Sequence, residues 1–197
     1  MVFRRLSALV AVPLLLIGLS SCRSDPTVAA YVGDAEITVD RVDDYFAEAA
    51  SDPVSAMQVQ QSPGEVKPKL VSMLVFIQLL REAADEANVS VTPAQIAQVK
   101  AQLEPQRQMV SGDVALLPLE ELSEFQALQV GLSQWARAGG VDDTTAGKKY
   151  SDALFAAEKA HPVTVNPRFG TFDLKNAPQM GSSDVAVKPA QTEAAQP

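Results

Sequence analysis

Thiols and imidazoles are almost missing from this chain. Its 197 residues include one cysteine and one histidine. No disulfide can form within the chain, and too few ligands are present for a cysteine/histidine metal site. Aromatic residues make up only 6%, while alanine and leucine dominate the middle of the chain. That composition favours helices over a β-sandwich. Positive charge is also short: 16 Lys and Arg stand against 24 Asp and Glu, for a formal net charge of −8. With no basic stripe, such a surface repels phosphate backbones, which argues against nucleic-acid binding. No apolar run is long enough for a stable membrane span. The chain is nevertheless 47% hydrophobic, enough to build a core and to argue against wholesale disorder.

The N-terminus has a different character. In Met1–Ser21, Arg4 and Arg5 precede an apolar run, Leu6–Leu19, interrupted only by Ser7, Pro13 and Gly18. This is the layout of a secretory signal. Arg4 and Arg5 are its only charges, so its removal makes the remaining chain more acidic still. Leu19-Ser20-Ser21-Cys22 resembles a bacterial lipobox, an apolar residue and two small ones before a cysteine. The resemblance implies cleavage after Ser21 and lipidation of Cys22, the membrane partner being reached through acyl chains at roughly 0.8 kcal/mol per buried CH₂. The alternative is an ordinary signal followed by a chance cysteine; the sole cysteine falling at this spot favours the lipobox. Residues 22–27 then form a tether to the domain.

The domain is predicted over residues 28–173. In Val28–Thr38, alternating residues flank the turn signal Gly33-Asp34, which predicts a hairpin. Thr38 is an N-cap candidate for a helix to about Ala50, with Val39, Val42, Tyr45, Phe46 and Ala49 on one face. The Asp40, Asp43 and Asp44 cluster reads as macrodipole chemistry rather than a cation site. Ser51–Pro68, with Pro53, Pro63, Gly64 and Pro68, is expected to be a long loop. Between Leu70 and Leu80 only Ser72 and Gln78 are polar. This stretch predicts a helix over Lys69–Asn88, either central or with an apolar face left for a partner. Thr92-Pro93-Ala94-Gln95 predicts a capping box opening a mostly solvated helix toward Met109. Its run of glutamines reads as a solvated face.

Ser111–Leu117 is expected to be a loop, and Pro118 to open a helix with a buried stripe of Leu122, Phe125, Leu128, Leu132 and Trp135. After Gly139-Gly140, Asp142 or Asp143 caps a last helix to about Ala160, with His161 at its end. No serine or cysteine pairs with His161 in a recognisable motif, so it is not read as a catalytic base. Val163–Val165 is β-branched and stopped by Asn166-Pro167. A lone strand is not stable in water, and Val28–Val32 is its natural partner. Residues 174–197, with three prolines and no periodicity, predict a disordered tail.

In order, these motifs resemble the N-terminal chaperone domain of SurA-type periplasmic chaperones, a family related to PrsA foldases and the trigger-factor C-terminal domain. The residues that carry the resemblance are Ala30–Thr38 running into Val39-Asp40-Arg41-Val42, then Thr92-Pro93 opening a helix after a hydrophobic one. The last is Val165–Asp173, similar to the PRFG-type segment that ends such domains in secreted actinobacterial relatives. The resemblance implies a mainly α domain whose opening hairpin pairs with a closing strand. Many of these relatives also carry a parvulin isomerase domain whose site uses two histidines. This chain has one histidine and no stretch left for such a domain, so it is expected not to be an enzyme and to need no cofactor.

The function implied is that of a membrane-tethered extracytoplasmic lipoprotein that holds unfolded or secreted client proteins. Candidate client contacts are Met57, Val59, Phe76, Met109 and Trp135, methionine being adaptable to many shapes. The first alternative is a lipoprotein that docks one dedicated envelope partner. A prolyl isomerase is the weakest of the three readings.

Overall fold

The computed structural model describes residues 25–176. The predicted leader, Cys22 and the tail from residue 177 onward lie outside the described residues. The fold is mainly α, six helices with one small three-stranded antiparallel sheet.

The sheet opens with the predicted hairpin, β1 (Val28–Val32) and β2 (Ala35–Thr38). The closing strand, β3 (Val163–Val165), lies on the other edge of β1 with Ala30 opposite Val165 and Val32 opposite Val163. The strand order is therefore β2-β1-β3, and the expected pairing of the two ends of the domain is present. Because β1 is central, all five of its residues are buried, where alternation alone predicts one covered face.

The hairpin turn requires glycine. Gly33 has φ +57°, and a Cβ built there would lie 3.0 Å from His161 Nδ1. Its N–H also donates to the Pro162 carbonyl at 3.1 Å, which ties the turn to β3. Gly33→Ala is expected to cost about 1–2 kcal/mol from the left-handed backbone alone. That corresponds to a drop of a few degrees in Tm for a domain of this size. A thermal melt checks it, and an unchanged midpoint would contradict the turn geometry.

Thr38 caps α1 (Val39–Ser51), its hydroxyl accepting from the Arg41 N–H. The next segment departs from expectation. Ser51–Pro68 is not a loop: a short turn leads into α2 (Ala56–Gln61), and α3 already begins at Pro63 and runs to Glu86. Pro63 occupies the first helical turn, where its missing N–H costs nothing. Pro68 lies inside the helix. It forfeits one backbone hydrogen bond, and burial of Val66, Leu70 and Val71 around it holds the turn in place.

Helix α3 is the centre of the molecule. It touches α1, α2, α5, α6 and the sheet, and every apolar residue from Leu70 to Leu80 is buried. Of the two possibilities for this stretch, the central one is realised. At its end Asn88 takes φ +55°, with Asn88 N–H bonded to the Asp85 carbonyl and Val89 N–H to the Ala84 carbonyl. These two bonds form a Schellman stop with asparagine in place of glycine.

The predicted capping box at Thr92 and Gln95 opens α4 (Pro93–Leu103). Beyond it, Pro105 tightens the chain into a 3₁₀ segment, Glu104–Met109, so the α-helix stops short of the expected end. Another 3₁₀ turn, Asp113–Leu116, replaces the expected loop and buries Val114, Ala115 and Leu116. Then come α5 (Leu119–Arg137) and α6 (Asp143–Ala160), the latter capped by the Asp142 side chain.

Both ends of the domain reach further than predicted. Leu174 is buried in the core, so the fold continues past Asp173. Asp25–Thr27, expected to be tether, is fastened to the fold. Val39 N–H donates to the Thr27 carbonyl at 2.8 Å, and Arg168 donates to the Pro26 carbonyl at 2.8 Å.

Candidate functional site

The five predicted client contacts separate into three environments. Val59 and Phe76 are 5% and 4% exposed and belong to the core. Phe76 meets Phe125 edge-on, ring centroids 6.0 Å apart. Neither side chain is presented to a client in this conformation. Periodicity cannot flag this, because a helix apolar on most sides leaves no outer face to identify. Trp135 is half-buried under Lys149, whose ammonium stands 4.0 Å from the ring centroid and also donates to the Trp135 carbonyl. Only Met57, 68% exposed, and Met109, 72% exposed, offer their side chains to solvent.

Each of these methionines lies within a few residues of a polar clasp between distant parts of the chain. Met57 is on α2, and Met109 ends the 3₁₀ segment after α4. The Arg107 Nη2 donates to Asp52 Oδ2 at 2.7 Å, and to the Ala115 and Leu117 carbonyls at 3.0 Å each. Gln58 Nε2 reaches Asp113 Oδ1 at 3.3 Å. Burial pushes the Asp52 carboxyl up, but the Val54 N–H and the Arg107 guanidinium outweigh it and hold the group below its ordinary value. Arg107 Nη1 is buried with no hydrogen-bond partner among the described residues. The clasp therefore ties together the chain segments next to two exposed, polarizable side chains. Arg107 and Asp52 are 55 positions apart, and no local sequence signal pairs them.

A second polar cluster ties α1, α3 and α5 together. Glu121, buried on α5, accepts from Arg41 Nη2 at 2.6 Å, Tyr45 Oη at 2.6 Å and Arg81 Nη2 at 3.0 Å. Arg81 also forms a two-pronged bond to Glu124 at 2.7 and 2.8 Å. Hydrogen bonding to Arg81 holds the Glu124 carboxyl below its ordinary value. Each charge here faces an opposite charge in the same cluster, the pattern of a structural brace rather than of a reacting group.

Two open clefts complete the surface. One, about 500 Å³, lies where the end of α3 meets Val89–Val91, α4 and α5. Its apolar lining includes Val89, Val91, Ile96 and Leu128, and its charged lining is Arg81 and Glu124, which are paired with each other, and Asp85. Gly131 shapes this region, since a Cβ there would sit 2.9 Å from Val89 Cγ1. The other, about 480 Å³, lies beside Tyr31, Gly33 and His161. His161 Nε2 stands 3.5 Å from Glu82 and 3.7 Å from Glu86, so the imidazole packs the sheet against α3. Among the described residues, no group of three or more His, Cys, Asp or Glu is placed to hold a metal ion, and no helix is long and apolar enough to cross a membrane.

A scan against protein-family models, a search of curated proteins and a search of solved structures each found no match to this chain.

Proposed function

We propose that this protein is a lipid-anchored, extracytoplasmic binding protein that holds non-native or secreted polypeptides through the end carrying Met57 and Met109. The observation that supports this most is that two strongly exposed methionines each lie within a few residues of the Asp52–Arg107 clasp. Unbranched thioether side chains adapt to varied apolar partners without a fixed pocket. The SurA-type resemblance of the hairpin and closing strand, and the lipobox at Cys22, agree with that role and with a place at the extracytoplasmic face of the cell membrane. Burial of α3 favours a second reading, a lipoprotein that docks one dedicated partner. With Leu70–Leu80 in the core, little apolar surface is left for indiscriminate binding.

The test uses the chain lacking Met1–Ser21 and a chemically denatured reporter. At near-stoichiometric ratio the wild-type chain is expected to suppress light scattering. The Met57→Asp, Met109→Asp double variant is expected to lose most of that effect with an unchanged Tm, because both side chains project into solvent. Unchanged scattering with wild type sinks the holdase reading. One stoichiometric partner in a pull-down from envelope extracts, absent with the double variant, supports the dedicated-partner reading instead.

A further inference from the structure

We propose that the corner formed by Asp25–Thr27 and Asn166–Arg168 faces the lipid headgroups, with α1 as a strut that carries the methionine end away from the bilayer. This rests on the proposed lipidation of Cys22. Its basis is that Asp25–Thr27 is fastened to the fold. The Asp25 carboxylate accepts from the Thr27 N–H at 2.9 Å and from the Thr27 hydroxyl at 2.6 Å, and the Asp25 carbonyl accepts from Val28 N–H at 3.1 Å. Thr27 is bound to the start of α1, and Pro26 to Arg168. Asn166 closes the corner from the other side, its N–H donating to the Ala29 carbonyl and its side-chain amide to the Val28 carbonyl. Cys22 and Asp25 are three peptide units apart, so the covalent reach from the acylated residue to this corner is at most about 11 Å.

Charge then selects how the domain stands on that short leash. Helix α1 leaves the corner at Val39 and runs thirteen residues, about 20 Å, to the Asp52–Arg107 clasp. Its exposed side carries Asp40, Asp43, Asp44 and Glu48. Of these acids, Asp43 is paired with Lys67 at 2.7 Å. Laying this side on an anionic lipid surface brings like charges together, a repulsion that acts within about a Debye length. The corner instead carries a single acid, Asp25, whose carboxylate is bonded by Thr27, balanced by Arg168, exposed, its guanidinium stacked 4.7 Å from the Phe169 ring centroid. A guanidinium has five N–H donors and suits phosphate oxygens. The upright pose therefore sets Arg168 among the headgroups and lifts Met57 and Met109 toward incoming polypeptide.

The full chain, produced in a lipid-modifying bacterial host, tests this in vesicles of phosphatidylcholine and phosphatidylglycerol that contain headgroup-nitroxide lipid. Cys22 is the only natural cysteine, and acylation consumes its thiol, so one new cysteine accepts one fluorophore. Quenching at Pro167→Cys is expected to exceed that at Met57→Cys and Asp44→Cys several-fold. A flexible glycine-serine insertion between Ser24 and Asp25 is expected to reduce the Pro167→Cys quenching. Equal quenching at all three sites, stronger quenching at Met57→Cys, or no response to the insertion overturns the orientation. The acyl mass on Cys22 is measured on the same samples. A chain without it overturns both the anchor and the orientation, whereas an acylated chain with the wrong quenching order overturns the orientation alone.

Discussion

Leu74→Asp is expected to abolish the cooperative melting transition of the domain. Leu74 is 1% exposed, in the middle of α3, with Met73, Val75 and Ile77 beside it in the same buried cluster. An aspartate at this position has no cation to pair with in the apolar interior. It must either bury a charge or take up a proton, and either route costs several kcal/mol on top of the lost packing. Total stability for a domain is about 5–15 kcal/mol, so a loss of this size leaves little or none. Leu74→Ala provides the graded control, with an expected loss of about 2–5 kcal/mol and a lowered but still cooperative transition. Circular dichroism melts of both variants decide the matter. A normal midpoint for Leu74→Asp contradicts the central placement of α3.

The second large effect lies at the brace. Glu121→Ala removes the common acceptor of Arg41, Tyr45 and Arg81. Breaking a buried pair by deleting one partner costs about 3–5 kcal/mol, because the remaining charge is left uncompensated. Both arginines here keep partial contact with water, 33% and 25% of their side-chain surface, and Arg81 retains Glu124. The expected loss is therefore nearer 2–3 kcal/mol. Deleting the whole set gives the sharper check. The quadruple variant Arg41→Met, Arg81→Met, Glu121→Leu, Glu124→Gln is expected to be more stable than Glu121→Ala alone, since Glu124, which Arg81 also holds, is neutralised with the rest and no orphan charge remains. Urea titration measures both, and the reverse order would show that the charges themselves, not their mutual satisfaction, hold the helices together. The cluster also carries an acid limit. Glu124 is held below its ordinary value of 4.5, so its stabilising contribution is present above that pH. It is lost as pH falls through the lowered value.

Much of the fold was legible because local chemistry dictates it. The Gly33-Asp34 turn needs a left-handed residue, Thr92 and Gln95 satisfy each other's backbone partners, and Asp142 caps α6. Pairing of Val163–Val165 with β1 was legible too, since a short β-branched strand needs an edge and only one convincing β pattern offered it. The Ser51–Pro68 stretch is not legible from its prolines, because a proline count marks breaks without distinguishing a helix opener from an interruption. Pro63 is in fact a helix opener, and Pro68 is a tolerated interruption whose cost is offset by packing. The candidate site was half legible. Methionine chemistry points to Met57 and Met109, but Val59 and Phe76 are candidates on hydrophobicity alone, which does not distinguish a core position from a sticky one, and both are core.

The caps at Thr38, Thr92 and Asp142 and the Gly33 hairpin follow from the sequence by itself, because each depends on residues within a few positions of one another. Only the tertiary structure decided that α3 is packed by α1, α2, α5, α6 and the sheet, that Glu121 gathers Arg41 and Arg81, and that Arg107 reaches Asp52. It also decided that Asp25–Thr27 and Leu174 belong to the fold. These are contacts between distant parts of the chain. They form only when packing brings their partners together, and no periodicity or spacing in the sequence encodes which partner that is.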